Sequence, residues 1–194
     1  MARFTPEHKD ASREKLITAA ARLFRQQGFN GVGINDLCAA AGLTRGAFYV
    51  HFTSKAALLT QVLAGAHDFV QRLRARTATT TAGLRKQAAQ VACDYLEPEN
   101  REAVVAGCSI ASLALDAVRG EPAARQAYAH AVDAVVSEFQ AAAPGEKRLS
   151  RDDARVALVI CVGGLLLDNA CGDDPEGAKI AMAAQREVRR LLQS

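Results

Sequence analysis

Six residues between positions 44 and 55 are suited to contact a polyanion. They combine hydroxyl, guanidinium, phenol, imidazole and ammonium groups with one glycine: Thr44, Arg45, Gly46, Tyr49, His51 and Lys55. Phe48 and Phe52 lie among them at helical spacing, so a helix would turn both rings inward. Arg45 and Tyr49 would then face outward. A short helix that exposes a cation near its N-terminus suits entry into the major groove of DNA.

The residues before this run predict how it is positioned. Ile34, Leu37 and Ala41 place apolar groups at helical spacing on a preceding short helix. Gly42 supplies the left-handed position of a tight turn, which residues with a Cβ resist. The hydroxyl of Thr44 can accept a backbone N–H group and cap the second helix. These signals predict a helix-turn-helix.

The stretch AAAGLTRGAFYVHFTSKAALL resembles the TetR family of bacterial transcription regulators. It has the glycine turn, the Tyr-x-His-Phe core and the Ser-Lys pair of that family, whereas Gly33 stands where the family usually has Thr or Ser. The resemblance implies an all-α protein of about nine helices. A three-helix DNA-binding head is expected over residues 1–54. A larger helical domain for effector binding and dimerisation is expected over residues 55–194.

The resemblance also implies a role for each residue of the run. Arg45 is expected to read base edges, and Gly46 to allow close approach of the backbone. Phosphate contacts are expected from the other four: Thr44, Tyr49, His51 and Lys55. For Tyr49 and His51 the alternative is internal packing of the head. The implied partner is double-stranded operator DNA, a palindrome whose halves are read by the two heads of a homodimer.

Composition favours a helical protein with a basic N-terminal end. Alanine, the best helix former, is abundant, and Trp is absent. Residues 1–60 hold 8 Lys and Arg against 4 Asp and Glu, whereas the other 134 residues hold 16 against 17. A basic module on a near-neutral body is typical of nucleic-acid binding at one end. A solvated charged face is the alternative interpretation.

Catalytic and metal-binding signatures are missing, so we expect neither an enzyme nor a cofactor or metal. The sequence has no P-loop, dinucleotide-binding glycine pattern, GxSxG elbow or HExxH motif. Its four His are scattered, and its five Cys form no close pairs. There is no apolar signal segment, and the longest apolar run, 156–167, is too short to span a bilayer. We therefore expect a cytoplasmic protein without a membrane partner.

Helix signals divide the rest of the chain. Residues 1–11 read as a polar arm before a helix over 12–27, and one long helix over 54–76 is expected to act as a lever. Further helices are predicted over 82–96, from 101 or 104 to 118, and over 122–142. Ser150 and the sequence Asp174-Pro175-Glu176 have the pattern of helix starts.

The helix after Ser150 is apolar almost all round, which is not typical of a surface helix. Gly163 and Gly164 would let another helix approach it closely. The resemblance implies that the last two helices form a four-helix interface in the homodimer. The alternative is a purely internal core helix.

The resemblance further implies a small-molecule effector. Candidate pocket residues are Phe69, Tyr95, Cys108, Ala111 and Tyr128, each of which is alternatively an ordinary core residue. The implied function is a repressor that the effector releases from its operator. The alternative is a constitutive or architectural DNA-binding protein without a ligand. At a helix N-terminus the Cys108 thiolate would be favoured and could sense electrophiles, whereas within a helix it would be buried and inert.

Overall fold

The computed structural model describes residues 6–65, 67–97, 107–142 and 149–193. Within these ranges every regular element is a helix, which confirms the predicted all-α fold. The segments, numbered in chain order, are α1 (Pro6–Gln27), α2 (Ile34–Ala41), α3 (Arg45–His51), α4 (Lys55–Ala64), α5 (Asp68–Arg74), α6 (Thr81–Tyr95), α7 (Ser109–Ser112), α8 (Ala114–Arg119), α9 (Pro122–Ala141), α10 (Arg151–Cys171) and α11 (Pro175–Gln193).

Two compact units divide the chain. Unit 1 comprises Met1–Gly65 with Ser112–Ala129, and unit 2 comprises Ala66–Ala111 with His130–Ser194. Unit 1 therefore holds α1 to α4 and α8, unit 2 holds α5, α6, α10 and α11, and α7 and α9 each contribute to both. This grouping by compactness differs from the predicted division after residue 54. That division concerns function and stays a prediction.

Unit 1 is built around one apolar core. The predicted head residues all belong to it, Phe29 and Leu43 being partly buried and the others fully: Leu16, Leu23, Leu37, Phe48 and Phe52. Leu113, Ala117 and Ala124 join the same core from a distant part of the chain, which the sequence did not predict. Asp116 adds a polar tie, because its carboxylate accepts a hydrogen bond from the backbone N–H of Phe29 at 3.2 Å.

Left-handed glycines end the first two helices, as predicted. Gly28 has φ 71°, its N–H donates to the carbonyl of Phe24 at 2.8 Å, and the rings of Phe24 and Phe29 lie 5.5 Å apart. Gly42 has φ 65°, and the N–H of the next residue donates to the carbonyl of Cys38 at 2.9 Å. A residue with a Cβ would be strained at either position.

The predicted long helix over 54–76 is wrong. α4 ends at Ala64 and α5 begins at Asp68, because Gly65 (φ −67°, ψ 173°) and His67 (φ −90°, ψ 134°) have extended backbone. Glycine disfavours a helix interior by about 1 kcal/mol relative to alanine, so it is a suitable place for the break. Apolar residues on both sides are buried, and their pattern concealed the interruption.

Two other helix boundaries also differ from the predictions. α1 begins at Pro6, so the predicted polar arm is helical from there onward; proline fits a first helical turn because it needs no N–H partner. The start of the helix predicted from 101 or 104 lies outside the described residues. Its described part is split into α7 and α8 at Leu113, whose backbone has φ −108° and ψ 13°.

Helix starts that the sequence marked with polar caps are confirmed. The hydroxyl of Ser150 accepts the backbone N–H of Asp153 at 2.9 Å, at the start of α10. The carboxylate of Asp174 accepts the N–H of Glu176 at 2.9 Å, at the start of α11. Local capping chemistry was therefore sufficient to place both helices.

In unit 2, α6 and α11 pack against α10 through small side chains. A Cβ on Gly164 would lie 2.8 Å from Cβ of Ala184 and 2.9 Å from Cδ2 of Leu96, so only glycine allows this approach. A Cβ on Gly163 would have no described atom within 4 Å, so it has no such role within the protomer. By length and composition α10 could cross a membrane, a test that buried core helices also pass.

Candidate nucleic-acid interface

α3 exposes Arg45, Gly46 and Tyr49, and the ring of Phe48 anchors the helix in the core. Thr44 caps the helix, because its Oγ1 accepts the backbone N–H three residues on at 3.2 Å. Phe48 is fully buried in the core of unit 1, whereas Tyr49 is 50% exposed. Arg45 and Gly46 are exposed as well. The first turn of α3 is therefore open to a partner while its far side is fixed.

Arg45 and Tyr49 form a loose pair on this exposed turn. Nη2 of Arg45 donates to the hydroxyl of Tyr49 at 3.5 Å, and its Cζ lies 5.9 Å from the centroid of the ring. Both distances are at the long end for such contacts. The guanidinium is thus oriented along the surface, yet it keeps donors that could reach a base edge.

Gly46 is not required by packing within the head. A Cβ at this position would meet only the hydroxyl oxygen of Thr44, at 3.8 Å, which is ordinary contact. Its backbone is helical, so no left-handed conformation demands glycine either. A requirement for glycine here would therefore come from a partner that approaches the backbone.

A groove of about 430 Å³ lies beside α3. It is lined from α1, the turn and α3 by Lys9, Ser12, Gly42, Leu43, Thr44, Ala47, Val50 and His51. Burial lowers the pKa of His51, the positive charges of Lys9 and Arg13 lower it further, and Asp10 opposes them. The groove therefore combines an ammonium group with the cap of α3, a combination that suits a phosphate.

Sequence reasoning missed the α1 side of this groove. The sequence predicts a polar arm over residues 1–11, which excludes Lys9, and it places Ser12 only at the start of the next helix. The sequence Thr5-Pro6-Glu7 has the same kind of helix-start pattern as Asp174-Pro175-Glu176. Applying the same rule at both places would have placed Lys9 on a helix.

Lys55 has internal contacts that its predicted phosphate role did not anticipate. Its Nζ donates to the carbonyls of Phe29 and Val32, both at 2.8 Å, and lies 4.1 Å from the centroid of the Phe29 ring. The ammonium group therefore holds the loop between α1 and α2, with two of its three N–H donors in use. The phosphate contact stays a prediction, and it would have to use the third donor or replace one of these bonds.

Gly33 directly precedes α2 and provides no side-chain cap for it. Its own N–H donates to the carboxylate of Asp36 at 2.8 Å, which is half of a capping box. Because Gly33 has no side chain, the reciprocal bond from a Ser or Thr hydroxyl is not made. At this position, only backbone groups of the head are available to bind a phosphate.

Three of the five candidate ligand residues lie together in unit 2. Phe69 and Tyr95 are stacked with centroids 4.3 Å apart, and the hydroxyl of Tyr95 lies 3.1 Å from Sγ of Cys108. Ala111 is buried in unit 2 as well. Tyr128 belongs to unit 1, where it packs against the core. The role of all five in ligand binding stays a prediction.

Cys108 is buried although it is not within a helix. It directly precedes α7, and its side chain is almost inaccessible. Burial raises the pKa of the nearby Cys161, and the neighbouring Cys93 and Cys108 raise it further. A low-dielectric setting disfavours thiolates, the reactive form of cysteine. The hypothesis that Cys108 senses electrophiles stays a prediction.

Known proteins share both the motif and the fold. Residues 16–62 match the family of bacterial regulatory proteins described as the tetR family. The regulator AcrR of Shigella flexneri is 39% identical over 62 residues, which are 32% of this chain and 29% of that protein. The chain thus spans less than a third of that relative. The regulator LmrA of Bacillus subtilis is 26% identical over 161 residues, which are 80% of this chain and 85% of that protein.

A solved structure extends the likeness to the whole fold. The reduced form of NemR from E. coli has a TM-score of 0.74 at 20% identity and covers 92% of this chain and 95% of its own. α2, the turn at Gly42 and the exposed α3 form a helix-turn-helix. Over residues 16–62 this chain is similar to the tetR family of bacterial regulatory proteins, and its overall fold is similar to that of NemR.

Proposed function

We propose that the protein is a cytoplasmic transcription repressor that binds a palindromic operator as a homodimer and leaves it when a small molecule binds. The observation that supports this most is the exposed first turn of α3. There Arg45 and Gly46 lie directly after the cap of Thr44, above the buried ring of Phe48. A rigidly anchored helix with an open, cationic first turn is what major-groove recognition requires.

Each residue of the interface has a distinct proposed role. The guanidinium of Arg45 binds a base edge, where guanine offers two acceptors to it, and Gly46 lets the helix approach. The hydroxyls of Thr44 and Tyr49 donate to phosphates, with His51 on the groove side. Lys9 adds a cation that the sequence did not suggest.

The proposed dimer uses an apolar stripe on α10. Val156, Val159 and Leu167 lie on one side of this helix and are 47%, 69% and 55% exposed, with Gly163 between them. Met182 on α11 is also exposed. Large apolar groups exposed at helical spacing favour burial against a second copy through the last two helices.

The proposed binding site of the effector lies in the domain expected over residues 55–194. The stacked pair of Phe69 and Tyr95, with Cys108 beside it, supplies an apolar lining with polar atoms. A ligand that binds the folded state must stabilise it, so a thermal-shift screen separates a sensor from a constitutive DNA-binding protein.

Selection from a random duplex library tests the proposal. We expect the protein to enrich a palindrome whose half-sites are about 34–36 Å apart or a multiple of that distance. Affinity for the enriched site should fall steeply with salt, because phosphate contacts release counterions. Enrichment of no sequence, or of a site without dyad symmetry, would contradict the proposal.

A further inference from the structure

Arg76 is a buried charge with unused hydrogen-bond donors. It lies in the connection between α5 and α6 of unit 2, and its side chain is only 6% exposed. Nη2 donates to the backbone carbonyl of Glu138 at 3.0 Å and to its carboxylate at 3.4 Å. Nε and Nη1 are buried and have no hydrogen-bond partner among the described residues. Nε carries one N–H and Nη1 carries two, so three of the five guanidinium donors are unsatisfied.

The charges around Arg76 do not balance. Glu138 also accepts a hydrogen bond from Nε of the more exposed Arg74, at 2.7 Å. Two guanidinium groups therefore share one carboxylate in this part of the described structure, which leaves one net positive charge. Burial lowers the pKa of Arg76 and Glu138 opposes that shift, but guanidinium groups remain protonated in proteins.

The unused donors are not needed to hold the connection in place. Oε1 of Gln87, on α6, accepts the backbone N–H groups of Thr77 and Ala78, both at 3.0 Å. Nη2 of Arg76 ties the same connection to α9 through Glu138. Buried donors without acceptors cost free energy. A surplus of them is expected where an acceptor from outside the chain binds.

We propose that Arg76 binds the carboxylate of a small organic acid. A planar carboxylate matches the guanidinium, and one negative charge balances the excess at Arg74, Arg76 and Glu138. A doubly charged phosphate would exceed it. Phe139, the next residue to Glu138, is buried with its ring 5.8 Å from that of Phe69. A simple aromatic acid is a suitable probe, because its carboxylate is planar and carries one negative charge.

We further assign this acid as the effector of the proposed repressor. That role rests on the proposed function, whereas carboxylate binding at Arg76 does not. The binding test therefore uses the full-length protein without DNA. Sodium benzoate is titrated calorimetrically at an ionic strength matched with sodium chloride, and benzamide serves as the neutral analogue. We expect benzoate to bind at least about tenfold more tightly than benzamide, as a charge-assisted hydrogen bond provides.

Two matched variants separate ligand binding from a structural role. Arg76→Lys keeps the charge but lacks the Nε and Nη1 donors, so benzoate affinity should fall about tenfold or more. Arg72→Lys makes the same change at a neighbour whose guanidinium pairs with Asp94 at 3.3 Å, and it should bind benzoate like the wild type. Equal affinities in the two variants would overturn the proposal.

The wild type alone provides an independent test that does not depend on variant stability. Crystals soaked in 4-iodobenzoate should show the iodine by anomalous scattering, with the carboxylate within hydrogen-bond distance of Arg76. Water alone at Nε and Nη1, no benzoate binding in solution, or tighter binding of inorganic phosphate would each overturn the proposal. Benzoate that binds without weakening operator affinity would remove the effector role only. Failure to bind any operator would remove the proposed function and leave the result at Arg76 unaffected.

Discussion

At the residue scale, the polar side chains of the head fall into two groups. Arg45 and Tyr49 are exposed and contact each other only loosely. Lys55 is engaged with two backbone carbonyls, and His51 is half-buried beside the cations of α1. Chemical type alone cannot distinguish the groups, because a lysine or histidine serves a phosphate and an internal carbonyl equally well. Substitution can distinguish them.

Lys55→Met should destabilise the head. It removes the donor that satisfies the carbonyls of Phe29 and Val32, so we expect a loss of about 1–3 kcal/mol in chemical denaturation. Lys15→Met, at an exposed position on α1, is the control and should change little. If Lys55 only contacted phosphate, Lys55→Met would leave the stability unchanged and would reduce the salt slope of DNA binding by about 1.

His51 should make stability depend on pH on the acid side. Its pKa in the folded protein lies below the ordinary value of 6.5, so the unfolded chain binds more protons between the two pKa values. Stability therefore falls as the pH drops below about 6.5 and levels off below the folded pKa. His51→Gln should flatten this part of the profile in denaturation experiments. If the pH dependence of stability were unchanged in His51→Gln, it would arise from another titratable group.

At the element scale, local chemistry predicted most helix ends, and contacts between distant residues explain the failures. Thr44, Ser150 and Asp174 mark their helices because a cap needs only neighbours in sequence. The break at Gly65 was hidden because buried apolar residues continue on both sides of it. A pattern that continues through a glycine fits one long helix and two short ones equally well.

Contacts across long stretches of sequence could not be predicted from pattern at all. α8 joins the core of unit 1, with Asp116 bonded to Phe29 across 87 positions. The loop contacts of Lys55 and the burial of Arg76 likewise depend on residues distant in sequence. The exposed face of α3 was predictable because its residues are consecutive, whereas Lys9 required the correct start of α1.

The two central glycines of α10 should respond oppositely to alanine. At Gly164 the new methyl group would press on Ala184 and Leu96, so α11 must shift and we expect a loss of about 1–3 kcal/mol. At Gly163 a methyl group would meet no described atom of the protomer, so helix propensity should add up to about 1 kcal/mol to the stability of the protomer itself. Chemical denaturation of both variants tests this. Equal effects would show that the packing at Gly164 is not as tight as described.

At the scale of the whole molecule, the proposed operator binding requires two copies. Val159→Arg should dissociate the dimer, because it places a charge in the centre of the proposed interface at a cost of several kcal/mol. Val118→Arg is the matched control, since Val118 is equally exposed but lies on α8. Sedimentation at micromolar concentration should give monomers for the first variant and dimers for the control and the wild type. Sedimentation of the wild type as a monomer would contradict the proposed dimer.

The most direct measurement of the central claim, that α3 reads DNA sequence, is a binding-site selection with the wild type and Arg45→Ala on the same random library. We expect Arg45→Ala to remain folded and to lose its preference at one base pair in each half-site, equivalent to about 1–3 kcal/mol. Arg22→Ala, at an exposed arginine on α1, should keep every preference of the wild type. Unchanged affinity and base preference in Arg45→Ala would contradict the assignment of α3 as the recognition helix.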